Sequence, residues 1–256
     1  MNAQNKIALV TGGSRGLGRD MAINLAKKGI DVVLTYKGNQ ESAENVVAEI
    51  KNNGQKAVAL QLDVADQPSY ADFFSNKLQP QLEQEFGATK IDFLVNNAGT
   101  GYFAPFTVET AVDKMDDLIN IHFKAGYFFT QQALGYLNDG GGIVNISSGL
   151  TRIVNPGFAA YASMKGALEI LTKYQAKELA ERKIRVNIVA PGAIETDFGG
   201  GAVRDNKEMN GHIASLTALG RVGLPTDIGP IVAFLCTEEA YWINAQRIEV
   251  SGGQAI

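Results

Sequence analysis

A chain of 256 residues is long enough for one large α/β domain with a substantial core, and its length does not require a second. The formal net charge of −4 carries no block of like charges, so nucleic acid and anionic membranes have no electrostatic footprint to bind. No apolar run is long enough to span a bilayer, no signal-peptide pattern is present, and the single Cys236 cannot form an internal disulfide; the expectation is a soluble, cytoplasmic protein.

In chain order, short apolar runs that read as buried strands fall at residues 6–10, 31–35, 56–61, 91–95, 142–147, 185–190 and 247–250. Helical periodicity fills the gaps at 16–28, 40–52, 69–86, 112–137, 157–182 and 226–237. Apolar strands alternating with helices argue for a parallel sheet covered on both faces, a doubly wound α/β arrangement in one domain over 1–256. Pro80 lies inside the third helical segment and predicts a break or kink there. Cys236 ends the apolar helical run IGPIVAFLC, where an inert buried thiol is expected. One excursion, over about residues 193–220 and including Gly199-Gly200-Gly201, departs from the alternation and reads as a lid over a ligand; a loose surface insertion is the alternative.

The first strand runs directly into TGGSRGLG (Thr11 to Gly18) and a helix. Strand, glycine turn and helix N-terminus together form a setting for a dinucleotide pyrophosphate: glycine lets the backbone approach, and the unpaired N–H groups face the anion. The spacing Gly12, Gly16, Gly18 differs from the commoner G-x-G-x-x-G, and a tight turn needing glycine dihedrals is the competing reading. Further on, Tyr161 and Lys165 stand one helical turn apart, thirteen residues after Ser148. An ammonium beside a phenol lowers its pKa from about 10, so Tyr161 can act as general acid or base on a carbonyl or alcohol oxygen. Ser148 can donate a hydrogen bond to the same oxygen. A bare Y-x-x-x-K is otherwise an ordinary amphipathic helix.

TGGSRGLG, Asp63-Val64, Asn96–Gly99, Asn120, Ser148, Tyr161-x-x-x-Lys165 and Pro191-Gly192 resemble, in order and spacing, the short-chain dehydrogenase/reductase family, with the bacterial 3-oxoacyl-carrier-protein reductases and related carbonyl reductases nearest in look. The resemblance runs through Val250–Gly253 and implies a Rossmann-type fold with a seven-stranded parallel sheet. It implies catalytic roles for Asn120, Ser148, Tyr161 and Lys165, with Asn120 holding a water against the lysine and Lys165 also reaching the nicotinamide ribose. It implies cofactor contacts at Gly12, Ser14, Arg15, Gly16, Leu17 and Gly18, at Asp63 and Val64 beside the adenine, and at Asn97, Ala98 and Gly99 through backbone. Pro191, Gly192, Ile194 and Thr196 match positions beside the nicotinamide, with Tyr161 and Lys165 again touching it. For Asp63 a turn aspartate, and for Asn97 a strand-end cap, are the plainer readings. A homotetramer is implied as well, with the helices bearing Phe123, Tyr127 and Phe128 and bearing Tyr161 packing across subunits.

Cofactor choice follows from charge. An acid after the second strand would bind a ribose 2′-hydroxyl and repel a 2′-phosphate. Here that strand runs into Tyr36-Lys37-Gly38-Asn39, and Arg15 stands inside the glycine turn, so NADP(H) is expected; Lys37 is either a second phosphate contact or a solvated lysine. No metal site is expected: the two histidines, His122 and His212, are far apart and lack ligand-type spacing, and His122 reads as a packing or interface residue. Two features depart from the family. Asn244-Ala245-Gln246 stands where Thr-Gly-Gln is usual, and the 63–96 segment is several residues longer. The resulting expectation is an NADPH-dependent reductase of ketones, reversible to secondary-alcohol oxidation. A 3-oxoacyl-carrier-protein reductase is the alternative within enzymes and a non-catalytic NADP-sensing module the alternative outside them.

Overall fold

The computed structural model describes residues 5–106 and 110–256. Its strands are β1 (Ile7–Val10), β2 (Asp31–Tyr36), β3 (Ala57–Gln61), β4 (Ile91–Asn96), β5 (Leu137–Ile146), β6 (Arg185–Pro191) and β7 (Arg247–Val250). They form one sheet in the order β3-β2-β1-β4-β5-β6-β7, every neighbouring pair parallel. The order reverses between β1 and β4, and the crevice beyond the carboxyl ends of these two strands is where ligands bind in open α/β sheets.

The helices are α1 (Gly16–Lys27), α2 (Gln40–Asn52), α3 (residues 67–86), α4 (residues 112–136), α5 (Ala159–Glu178), α6 (Ala202–Asp205), α7 (Lys207–Ser215) and α8 (Pro225–Leu235). Adjacent strand residues point to opposite faces, and each face has its own core. Val10, Leu34 and Val95 pack with Met21 and Leu25 of α1, Ile50 of α2 and Val232 of α8. Leu9, Val33 and Leu94 pack on the other side with Phe73, Phe74 and Leu82 of α3, Phe129 of α4 and Ala176 of α5. Burial on both faces explains why β1 and β2 read as unbroken apolar runs.

Two local expectations are corrected. Pro80 does not break α3: Leu78, Gln79, Gln81 and Leu82 all keep helical dihedrals. The turns on both sides, Phe73–Leu78 and Leu82–Phe86, are wound in the wider i→i+5 pattern, which relieves the clash between the proline ring and the preceding turn and takes up added residues. β5 begins at Leu137, not at residue 142, because a register shift between Ile91 and Phe93 lets the early residues pair with β4. In the 193–220 excursion, Gly199, Gly200 and Gly201 take φ of 62°, 75° and 80°, and α6 and α7 follow.

Candidate active site

The glycine turn caps the C-terminal end of β1. Gly12 has φ 66°, and a Cβ on Gly18 would lie 2.1 Å from the Gly12 carbonyl oxygen, so α1 sits against the turn only because residue 18 is glycine. Thr11 and Asn97 brace this turn to the end of β4. Thr11 Oγ1 accepts from the N–H of Asn97 (3.0 Å) and of Ala98 (3.1 Å), while Asn97 Nδ2 donates to the carbonyls of Thr11 (2.9 Å) and Gly12 (3.1 Å). Asn97 thus works through its side chain as a brace between strand ends, the plainer of its two readings. Arg15 is the N-cap of α1 and is exposed; no side chain caps this helix and no acid lies in its first turn. An uncapped helix N-terminus beside a glycine turn fits a pyrophosphate. Across the crevice, Thr196 lies over Gly16, where an added Cβ would stand 3.6 Å from the threonine Cβ.

The other expected cofactor positions divide into two kinds. Leu17, Tyr36, Val64 and Ala98 direct their side chains into the two cores, Tyr36 being 8 % exposed, so what they offer a ligand is backbone. Asp63 and Lys37 form an ion pair at 2.8 Å, and Asp63 Oδ1 also accepts from the Ala65 N–H at 3.0 Å. These contacts hold the Asp63 carboxyl below its ordinary range against the opposing effect of its partial burial. Lys37 is therefore already partnered. Pro191 ends β6, the Gly192 N–H donates to Val250 O (3.0 Å), and Ile194 bridges Gly223.

Ser148, Tyr161 and Lys165 are brought together. Ser148 follows β5, and its hydroxyl is hydrogen-bonded to the Tyr161 phenol. Lys165 Nζ lies 5.7 Å from the Tyr161 ring centroid and donates to Ile146 O at 2.7 Å. The electrostatics differ from the simple expectation. Burial raises the Tyr161 pKa, and the Ser148 bond only partly opposes this. Burial also lowers Lys165 to about 8. In a dry pocket each group is dominated by the cost of its own charge, so the lysine does not make the phenol more acidic in the ligand-free protein. Tyr161 is a neutral phenol and Lys165 an ammonium at neutral pH.

Asn120, expected to act through a water, makes no direct hydrogen bond to Lys165 or Tyr161 among the described residues; its backbone carbonyl accepts from Gln67 Nε2 (3.4 Å). The place beside Lys165 belongs to His122, which is 2 % exposed and packs edge-on to Tyr161, with centroids 5.1 Å apart at 88°. Residues 119–129 of α4 are wound with i→i+5 bonds, so residue spacing does not report which side chain faces the site. Sequence reading took His122 for packing and missed it. It also missed Glu169, whose Oε1 accepts from Ser147 Oγ (2.6 Å) and Thr151 Oγ1 (2.7 Å) on either side of Ser148. A carboxylate two turns of α5 beyond Tyr161 carried no motif by which to find it.

Apolar rings surround the opening. Phe198, from the excursion, lies 5.7 Å from Tyr161 by ring centroid, and Phe103 packs edge-on to Phe158 at 5.3 Å. A cleft of about 420 Å³ opens between Phe106 and the segment carrying Leu150, Val154 and Phe158. Arg204 in the excursion is held by Asp197 and Asp205 and adds no free positive patch. Among the described residues no helix is long and apolar enough to cross a membrane and no cluster of side chains has a metal-binding arrangement.

A family model described as enoyl-(acyl carrier protein) reductase matches residues 12–255. A hydroxynaphthalene reductase-like protein, Arp2 of Metarhizium majus, is 36 % identical over 259 aligned positions, covering 97 % of this chain and 94 % of the relative. Among solved structures, the reductase LugOII, which catalyses keto-reduction at C1 during lugdunomycin biosynthesis, superposes with a TM-score of 0.92 at 38 % identity over 100 % of both chains. The angucycline C-6 ketoreductase LanV with bound NADP gives 0.91 at 36 % identity, covering 98 % of this chain and 95 % of that one. With this sheet, this glycine turn and the Ser148–Tyr161–Lys165 group, the chain belongs to the short-chain dehydrogenase/reductase family.

Proposed function

We propose that the protein is an NADPH-dependent reductase of ketones, with secondary-alcohol oxidation as the reverse reaction. The observation that carries this reading is the buried, neutral Tyr161 phenol bonded to Ser148 beside the Lys165 ammonium, across the crevice from a glycine turn. NADPH, when bound, supplies the hydride. Tyr161 gives its proton to the substrate oxygen as alkoxide character develops, and its raised pKa keeps that proton in place until then. Ser148 donates a hydrogen bond to the same oxygen. Lys165, anchored on Ile146 O, faces the charge that Tyr161 acquires on losing its proton, which an ammonium in a low-dielectric pocket stabilises strongly. In the reverse direction the tyrosinate takes the alcohol proton. Phe198 and the excursion behind it keep water from the reacting oxygen.

Preference for the phosphorylated cofactor is supported by exposed Arg15, which makes no ion pair among the described residues, by the lack of an acid at the end of β2, and by the NADP bound to LanV. The Phe103, Phe158 and Phe198 rings favour flat, apolar ketones, in keeping with LanV, solved with NADP and rabelomycin. The paired state of Arg204 gives an acidic carrier protein little to dock on. The deciding assay follows NADPH consumption with aromatic ketones, aliphatic ketones, 3-oxoacyl thioesters and 2-enoyl thioesters. Turnover of aromatic ketones is expected to lead. Turnover of enoyl thioesters alone would replace this reading.

A further inference from the structure

Glu169 Oε1 accepts from Ser147 Oγ (2.6 Å), Thr151 Oγ1 (2.7 Å) and Arg247 Nε (2.8 Å). Two of these donors flank Ser148 in the chain. The segment between them is a single tight turn, Gly149–Thr151, with Ser148 as its N-cap. Ser147 is tied through its backbone as well, its N–H donating to Val189 O of β6 at 2.7 Å. Beyond the turn, Arg152 binds Glu249 at 2.8 Å and donates to the carbonyls of Gln254 (2.7 Å) and Ala255 (3.1 Å), while Arg247 joins Glu249 (2.9 Å) to Glu169. The turn that carries Ser148 is therefore held from α5 on one side and from β7 and the tail after it on the other.

This turn decides what the Ser148 hydroxyl can do. A hydroxyl has one proton and two lone pairs. The Leu150 N–H donates to Ser148 Oγ at 3.2 Å, which occupies a lone pair and leaves the proton for the Tyr161 side. That bond lasts only while residues 148–151 stay closed, and the backbone bond closing them, Thr151 N–H to Ser148 O, is long at 3.2 Å. Thr151 closes the turn a second time: its hydroxyl proton lies between Ser148 O (2.9 Å) and Glu169 Oε1 (2.7 Å), and an ionised acceptor makes the stronger bond. We propose that Glu169 is a positioning residue of the reductase site: by holding Ser147 and Thr151 on one carboxylate oxygen, it keeps the turn closed so that Ser148 donates its proton to the substrate oxygen. Glu169 lies on α5, two turns beyond Tyr161. One helix thus carries the proton donor and also sets the hydroxyl that shares its target. The kinetic consequence rests on the ketone-reductase reading; the geometry of the turn does not.

Glu169→Leu removes every acceptor, whereas Glu169→Gln keeps a carbonyl oxygen for the two hydroxyls. Glu169→Leu is expected to lower kcat about 10–100-fold, less than outright deletion of a transition-state donor, with the NADPH dissociation constant within about twofold of the wild type. Glu169→Gln should recover kcat to within about fivefold. Ser147→Ala combined with Thr151→Val should match Glu169→Leu, and adding Glu169→Leu to that pair should cost nothing further, because groups acting through one contact are not additive. If Glu169→Leu does not fold, the paired variant carries the same test with Glu169 in place. Native kcat in Glu169→Leu or in the pair, equal loss in the Gln and Leu variants, or a further loss on top of the pair would overturn the proposal. So would a weakening of NADPH in step with kcat. Amide hydrogen exchange reads the turn without any ketone: the Leu150 N–H should exchange at least about tenfold faster in each loss variant, while residues 161–165 keep native protection. This measurement stands even if the wild type turns over no ketone, the result that would sink the reductase reading instead. Unchanged Leu150 protection would refute the role given to Glu169.

Discussion

Phe198 of the excursion after β6 rests on the phenol of Tyr161, ring centroids 5.7 Å apart at 59°. A residue that precedes three left-handed glycines is thus in ring contact with Tyr161, which on the proposed reading joins the excursion to the enclosure of the substrate. Phe198→Ala should raise KM for an aromatic ketone about tenfold, on the order of one lost aromatic contact, while kcat stays within a few-fold because Tyr161 and Ser148 are untouched. Steady-state kinetics with one aromatic and one aliphatic ketone would check this; an equal rise for both would show that the ring does not read substrate shape.

Tyr161→Phe removes one hydroxyl from a ring that stays packed against His122 and Phe198. The expected result is a native thermal midpoint, near-native NADPH binding, and a kcat lower by about 10²–10⁴, the contribution of a positioned acid. Near-native turnover would remove Tyr161 from the role of proton donor.

Lys165 supplies a pH signature of stability. Its folded pKa, about 8, is below its ordinary value of 10.5 because burial penalises the ammonium. Between these values the unfolded chain binds more protons, so the contribution of Lys165 to stability is least favourable below about pH 8 and grows as pH rises towards 10.5. Relative to Lys165→Met, the ligand-free wild type should gain on the order of 2–3 kcal/mol across that window. Denaturant titrations of both proteins at several pH values measure the difference; a flat difference would contradict the buried-ammonium account.

Arg15 and Lys37 should contribute unequally to cofactor choice. Arg15 is exposed and makes no ion pair among the described residues, whereas Lys37 is engaged with Asp63 at 2.8 Å. Arg15→Ala should weaken NADPH by about 1.5–3 kcal/mol, the scale of a charged hydrogen bond, and leave NADH nearly unchanged. Lys37→Ala should have the smaller effect. Comparing kcat/KM for both cofactors on one ketone tests it, and parallel losses for NADPH and NADH would show that Arg15 supports the turn without reading the phosphate.

Ala245 occupies the turn before β7 with φ 59°, where Asn244 Oδ1 accepts from the Val186 N–H at 2.9 Å and Gln246 N–H donates to Asn187 Oδ1 at 3.0 Å. These bonds hold the chain in a left-handed conformation that a Cβ disfavours. Ala245→Gly should therefore stabilise the protein by about 0.5–1 kcal/mol despite the added freedom of the unfolded glycine. Chemical denaturation would show a higher midpoint with an unchanged slope; destabilisation would mean that the alanine methyl contributes more by packing than its backbone costs.

The strand and helix order, the parallel sheet, the glycine turn and the Ser148–Tyr161–Lys165 group were all legible in the sequence. Each rests on short-range rules: apolar runs of strand length, a 3.6-residue period, and glycine where a Cβ would meet the Gly12 carbonyl. What the sequence left open depended on rotation and burial. Which of Asn120 and His122 faces Lys165 is set by how α4, wound with i→i+5 bonds, is turned against β4 and β5, and residue spacing holds no record of that angle. The direction of the Tyr161 shift was likewise beyond reach. A lysine one helical turn away is visible in the chain, but the loss of water around both groups arises only when α5 packs onto the sheet, and there desolvation outweighs the neighbouring charge. Tyr36 shows the same limit: it ends β2, one residue beyond the expected strand, and its ring belongs to the core, because the twist of the sheet and the helices laid on it decide which face of a strand end meets solvent.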